Sequence, residues 1–128
     1  MNPNQWGPKA WYFLDCIVLM YPENPTELDK QNYKTFFQSL ANVLPCKKCQ
    51  INYKNNIIIY PLTDEILSSK DKLIEWHLKI HNEIRKVQKK LKITFSQMKN
   101  YYEHSYDTYF IILFLLFSYG YYLYNNYK

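Results

Sequence analysis

The chain of 128 residues is 48% hydrophobic and 19% aromatic with only two glycines, which fits one packed, largely helical domain and excludes a disordered or turn-rich one. Sixteen Lys and Arg against eleven Asp and Glu give a formal charge of +5 at pH 7, which favours acidic partners, anionic lipid or a phosphate-bearing ligand without choosing among them. Three cysteines are too few for a disulfide-stapled secreted scaffold, and no basic leader with an apolar run opens the chain, so synthesis in the cytosol is expected.

The first segment, "WGPKAWYFLDCIVLMY", carries Trp11, Leu14, Ile17 or Val18, and Tyr21 at helical spacing, with a proline near its start. It predicts a helix ending near "YPENP", with Cys16 as an inert core thiol on its apolar stripe. In "PTELDKQNYKTFFQSLANVLP", Thr26 caps a second helix with Asp29 three residues on, and Phe36, Phe37, Leu40 and Leu44 form its stripe. Pro45 interrupts that helix and leaves Cys46 at the beginning of a third, where the helix dipole, Lys47 and Lys48 all favour a thiolate. After a loop with Ser68 or Ser69 as cap, "DKLIEWHLKIHNEIRKVQKKL" reads as a long helix with Leu73, Trp76, Ile80, Ile84, Val87 and Leu91 on its buried side. His77 and His104 are expected at the surface or partly buried. "ITFSQMKNYYEHS" suggests a short fifth helix.

The stretch Tyr109 to Tyr124, "YFIILFLLFSYGYYLY", holds no charged residue. As a helix its 16 residues cover roughly 24 Å, short against a hydrocarbon core of about 30 Å. Tyrosines towards its end and the terminal Lys128 are nevertheless the pattern of an aromatic belt with a snorkelling lysine. The expectation is a C-terminal membrane anchor over 106–128 behind a catalytic domain over 1–105, with a buried core helix as the alternative.

Three chemistries suit the pair in "VLPCKKCQINY". Cys46 and Cys49 with His77 and His81 have ligand types for zinc, in a non-enzymatic, membrane-associated interaction module. Yet 27 residues separate Cys49 from His77, far beyond the interval of about 12 in a nucleic-acid-binding finger, and no nucleic-acid partner is expected. Two inert core thiols are the second option. The third is a redox disulfide. "WGPKAWYFL", then "LPCKKC", then "WHLKIHNEI" followed by "KK" resembles the ordered motif set of the Erv/ALR family of FAD-linked sulfhydryl oxidases, especially the short versions of large DNA viruses. The likeness runs over roughly residues 5 to 103.

That resemblance implies an all-α fold, a four-helix bundle with a short fifth helix, here followed by the hydrophobic tail helix. It implies FAD held between helices beside the CxxC. A dithiol protein substrate, thioredoxin-like among the candidates, would attack Cys46, and Cys49 would be the flavin-proximal thiolate. Electrons would pass to FAD and then to O2, giving hydrogen peroxide. By position Trp11, His81, Asn82, Lys90 and Phe95 match flavin contacts, with Lys9, Tyr53, Trp76 and Ile84 as further cofactor-lining candidates. Asp15 stands where the family usually has histidine and is expected to point elsewhere or meet a neutral part of the cofactor. Arg85 replaces a usual asparagine and is suited to a phosphate. Leu78 occupies the site of a structural cysteine in longer members, and there is no distal shuttle CxxC, so a substrate must reach Cys46 directly or through a relay protein. Dimerisation is a family expectation. The localisation expected is a single-pass anchor with the catalytic domain on the cytosolic or virion-assembly side.

Overall fold

A computed structural model describes residues 1–126, the side chains of 101–109 excepted, so that of His104 lies outside the described residues. Among the described residues five helices follow one another: α1 (Pro3–Leu19), α2 (Glu27–Val43), α3 (Lys47–Ile59), α4 (Lys70–Val87) and α5 (Phe95–Asn126), with a 3-10 turn at Ile66–Ser68. Met1–Phe95 form one compact unit and Ser96–Lys128 another.

Local chemistry sets the helix ends. The Asn2 side chain accepts from the Asn4 N–H and Pro3 fills the first helical position, so α1 starts a turn earlier than "WGP" suggests and runs through Pro8. Thr26 and Asp29 form a complete capping box on α2. That helix stops at Val43, two residues before Pro45, because the residue preceding a proline is pushed out of the helical region. The α4 helix ends at Val87, where Lys89 turns left-handed with φ 57°. Val87 and Leu91 are therefore 63% and 87% exposed, and the buried side expected for them stops at Ile80 and the half-buried Ile84.

In the first unit α1 packs on α4, and α2 and α4 pack on α3. Leu14, Val18, Phe37, Ala41, Leu73, Ile74 and Ile80 fill the centre. Aromatic side chains tie the elements through their polar heads. Tyr21 Oη donates to the Leu67 carbonyl at 2.7 Å, Tyr53 Oη to that of Phe37 at 3.0 Å, and Trp76 Nε1 to that of Tyr60 at 2.9 Å. Each such bond contributes about 1 kcal/mol and fixes a register that apolar packing alone leaves free.

Two expectations for the C-terminal third are corrected. The short fifth helix and the tail are one continuous 32-residue helix, since no proline and only Gly120 interrupts the run, and a lone glycine costs about 1 kcal/mol without breaking a helix. Among the described residues no helix is long and apolar enough to cross a membrane. The apolar run is short, and its tyrosines and terminal asparagines dilute it, so the single-pass span is not supported.

Candidate active site

Cys46 is the N-cap of α3, and its sulfur accepts from the Cys49 N–H at 3.3 Å. The two cysteines form a disulfide with Cα atoms 5.1 Å apart. The first turn of a helix leaves N–H groups without intrahelical partners. One of them faces the Cys46 sulfur, which is the arrangement that stabilises negative charge when the disulfide opens. Gln50 secures the preceding bend by donating to the carbonyls of Asn42 and Leu44 at 3.1 and 2.7 Å.

Cys49 faces inward, onto a cavity of about 80 Å³. One stripe of α1, Pro3, Trp6, Gly7, Ala10, Trp11 and Leu14, lines it together with Leu40 of α2 and Leu44 just past its end, Asn52 and Tyr53 of α3, and Ile84 and Gln88 at the end of α4. Trp6 Nε1 is buried and has no hydrogen-bond partner among the described residues. An orphaned buried donor costs about 1–3 kcal/mol, so it marks a place where a ligand acceptor belongs.

Beside the cavity, Trp11 and His81 stack with ring centroids 3.7 Å apart and planes 6° from parallel. Burial pushes the His81 pKa down to about 3; Asp15 opposes this, while His77, Arg85 and Lys90 add to it. The imidazole is therefore neutral at physiological pH, and its buried Nδ1 has no partner among the described residues. Behind it, His77 Nε2 meets Asp15 Oδ1 at 2.6 Å. His77 is only 2% exposed and Asp15 6%, so His77 is fully buried where a surface or partly buried side chain was expected. Asp15 points away from the cavity into this pair. Asp15, His77 and His81 have ligand atoms within 4.8 Å of one another, and neither cysteine belongs to the group, so the four-ligand zinc arrangement is not assembled.

The other expected residues divide. Trp11, Tyr53 and Ile84 line the cavity. Tyr53 is buried, and desolvation raises its pKa, so the phenol stays protonated as a donor. Asn82 brackets Ile93, donating to its carbonyl and accepting from its N–H, both at 2.9 Å. It thus holds the chain that returns from α4. Arg85 Nε donates to the Leu91 carbonyl at 2.6 Å, and Lys90 is exposed; both act electrostatically on His81. The structure does not bring Trp76, Lys9 or Phe95 to the cavity. Trp76 packs on Phe37 and lines a second cleft with Lys34 and Asp64, Lys9 is exposed, and Phe95 is 44% exposed.

Trp6, Asn52 and Gln88 also line the cavity and are not among the residues expected there. The signal for Trp6 is present: Pro3, Trp6, Gly7, Ala10, Trp11 and Leu14 fall at helical steps of three and four once α1 begins at Pro3. A helix begun at Pro8 leaves out the first turn of that stripe.

The Erv1 / Alr family profile matches residues 8–103. A probable FAD-linked sulfhydryl oxidase of Acanthamoeba polyphaga mimivirus is 47% identical over 97 residues, covering 76% of this chain and 68% of the relative. An FAD-linked sulfhydryl oxidase of African swine fever virus is 28% identical over 100 residues, covering 78% and 82%. In fold, the FAD binding domain of Erv1 from Saccharomyces cerevisiae superposes with a TM-score of 0.70 at 23% identity, covering 81% of this chain and 93% of that one. The yeast Erv1 core gives the same TM-score with coverage of 78% and 82%.

Proposed function

Because the chain belongs to the Erv1 / Alr family, we propose that it is an FAD-dependent thiol oxidase that makes disulfide bonds in protein substrates. The observation that carries this is the position of Cys49, which forms a disulfide with the N-capping Cys46 while lining a cavity walled by Trp6, Trp11 and Tyr53. The residues fit the cofactor. Flat aromatic walls suit a flavin ring, and the orphaned Trp6 Nε1 and His81 Nδ1 supply polar contacts for it. Trp11, Tyr53, His81 and Ile84 would hold it, with Trp6 added, while Arg85 and Lys90 would offer positive charge to its phosphates. When bound, FAD accepts the electron pair of the reduced cysteines and delivers it to O2, which leaves as hydrogen peroxide.

The chain's own steps follow from thiol–disulfide exchange. A substrate thiolate attacks the Cys46 sulfur, the Cys46–Cys49 bond breaks, and Cys49 departs as a thiolate towards the cavity. The second substrate thiol, deprotonated, then attacks the substrate sulfur of the mixed disulfide. Cys46 leaves as a thiolate, stabilised by the Cys49 N–H and the first turn of α3. The substrate has lost two electrons and two protons, and the cysteine pair is reduced.

The test is the visible spectrum of the purified chain, with oxygen uptake on a small dithiol. Yellow protein that releases FAD on denaturation and consumes oxygen supports the assignment. Colourless protein that fails to take up added FAD overturns it.

A further inference from the structure

The two sides of α3 have different tasks. Cys49, Asn52 and Tyr53 turn to the cavity. On the opposite side Lys47, Ile51, Lys54 and Ile58 follow at steps of three and four, and all four are exposed. Their span is about 17 Å at 1.5 Å per residue. Lys48, Asn55 and Ile59 flank the stripe, also exposed. Ile51, Ile58 and Ile59 are 59%, 66% and 65% exposed, and Val43 at the end of α2 is 67% exposed. Single exposed apolar residues are ordinary, but a row of them interleaved with cations on one helix face marks a docking surface.

Charge selects the occupant. From Lys47 to Ile59 the helix carries three lysines and no acidic residue. A second copy of this chain would set the same lysines against their own kind, which disfavours a self-complementary contact. The stripe also begins beside Cys46, the sulfur a substrate must reach, so whatever seats on it is delivered to the disulfide.

We propose that the Lys47–Ile51–Lys54–Ile58 face of α3 docks the dithiol-bearing segment of the protein substrate and selects one whose cysteines are flanked by acidic and apolar side chains. The proposal rests on the oxidase assignment and names its substrate class. Complementary charge raises the encounter rate, and the isoleucines hold the segment while exchange proceeds at Cys46.

The experiment uses the full FAD-loaded chain and two peptides sharing one Cys-x-x-Cys core, one flanked by Glu and Leu, the other by Lys and Leu, with dithiothreitol as the small uncharged dithiol. Lys54→Glu combined with Ile58→Ser alters the far end of the stripe, away from the sulfurs and the cavity. The acidic peptide should be oxidised with a kcat/KM about tenfold above the basic one at low salt, and the gap should close as ionic strength rises towards about 0.5 M. The double variant should lose about tenfold on the acidic peptide through KM, the sum of one exposed charge contact and one apolar contact, and keep its rate on dithiothreitol. Equal kcat/KM for both peptides, or a variant that treats the acidic peptide as the parent does, overturns the proposal. So does binding of anionic phospholipid vesicles that the double variant abolishes while peptide oxidation is unchanged, or a concentration-dependent dimer that it abolishes likewise. Absence of flavin and of dithiothreitol oxidation in the parent chain would instead strike the oxidase assignment itself.

Discussion

Replacing His81 by phenylalanine keeps a flat ring against Trp11 and removes a titratable group that the fold holds neutral. The pKa of His81 stands at about 3 in the folded chain, lowered chiefly by burial, against about 6.5 in an unfolded one. A histidine with a depressed folded pKa favours folding fully only above its unfolded value. As pH falls from about 6.5 towards 3 the unfolded chain takes up a proton that the folded chain refuses, and stability is lost at up to about 1.4 kcal/mol per pH unit. Between pH 6.5 and 4.5 that amounts to about 2 kcal/mol. Urea unfolding of the FAD-free full chain, parent against His81→Phe, at several pH values across this range measures it. Asp29 and Asp64, whose pKa values are lowered by Thr26 and by Lys34, also lose stabilising interactions on acidification, but in both proteins alike, so the difference between the two curves isolates His81. The parent's stability relative to the variant should fall by about 2 kcal/mol over those two units. A difference independent of pH would show that His81 takes up protons as freely folded as unfolded, and that the wall it forms with Trp11 is wet.

Cys49→Ser removes the sulfur that closes the disulfide on Cys46, so no S–S bond is left for a substrate thiolate to break, and oxygen uptake on dithiothreitol should fall by more than about 100-fold while the protein keeps its flavin absorbance. Trp6→Phe keeps the ring and deletes the orphaned N–H; FAD affinity, measured by flavin fluorescence, should fall about fivefold to tenfold, roughly the net value of one hydrogen bond, with no loss in urea stability. Gly7→Ala adds a methyl with nothing within 4 Å on a cavity-lining helical position, so urea unfolding of the FAD-free chain should show a gain of about 0.5–1 kcal/mol while FAD titration shows weaker binding. Tyr21→Phe leaves the buried Leu67 carbonyl without its 2.7 Å donor and should cost about 1–3 kcal/mol in urea unfolding.

The sequence by itself determined the helices of the first unit, the capping box at Thr26, the stop before Pro45 and the placement of Cys46 at a helix start. Each depends on neighbours within a turn or two, and helix periodicity, caps and prolines write those relations directly into the chain. It also carried the motif order that marks the family, and the pairing of the CxxC with a His-Asn helix. Only the tertiary structure decided what His77 and Asp15 do. A histidine and an aspartate 62 positions apart have no spacing rule between them, and they meet because α1 packs on α4. The same packing set Trp11 flat on His81, while the wider assembly of the bundle put Trp76 against Phe37 and left Trp6 with a buried N–H that no group among the described residues answers. Side chains on one helix face are legible from a repeat of 3.6, but which face meets which neighbour depends on contacts far apart in sequence, which no local pattern records.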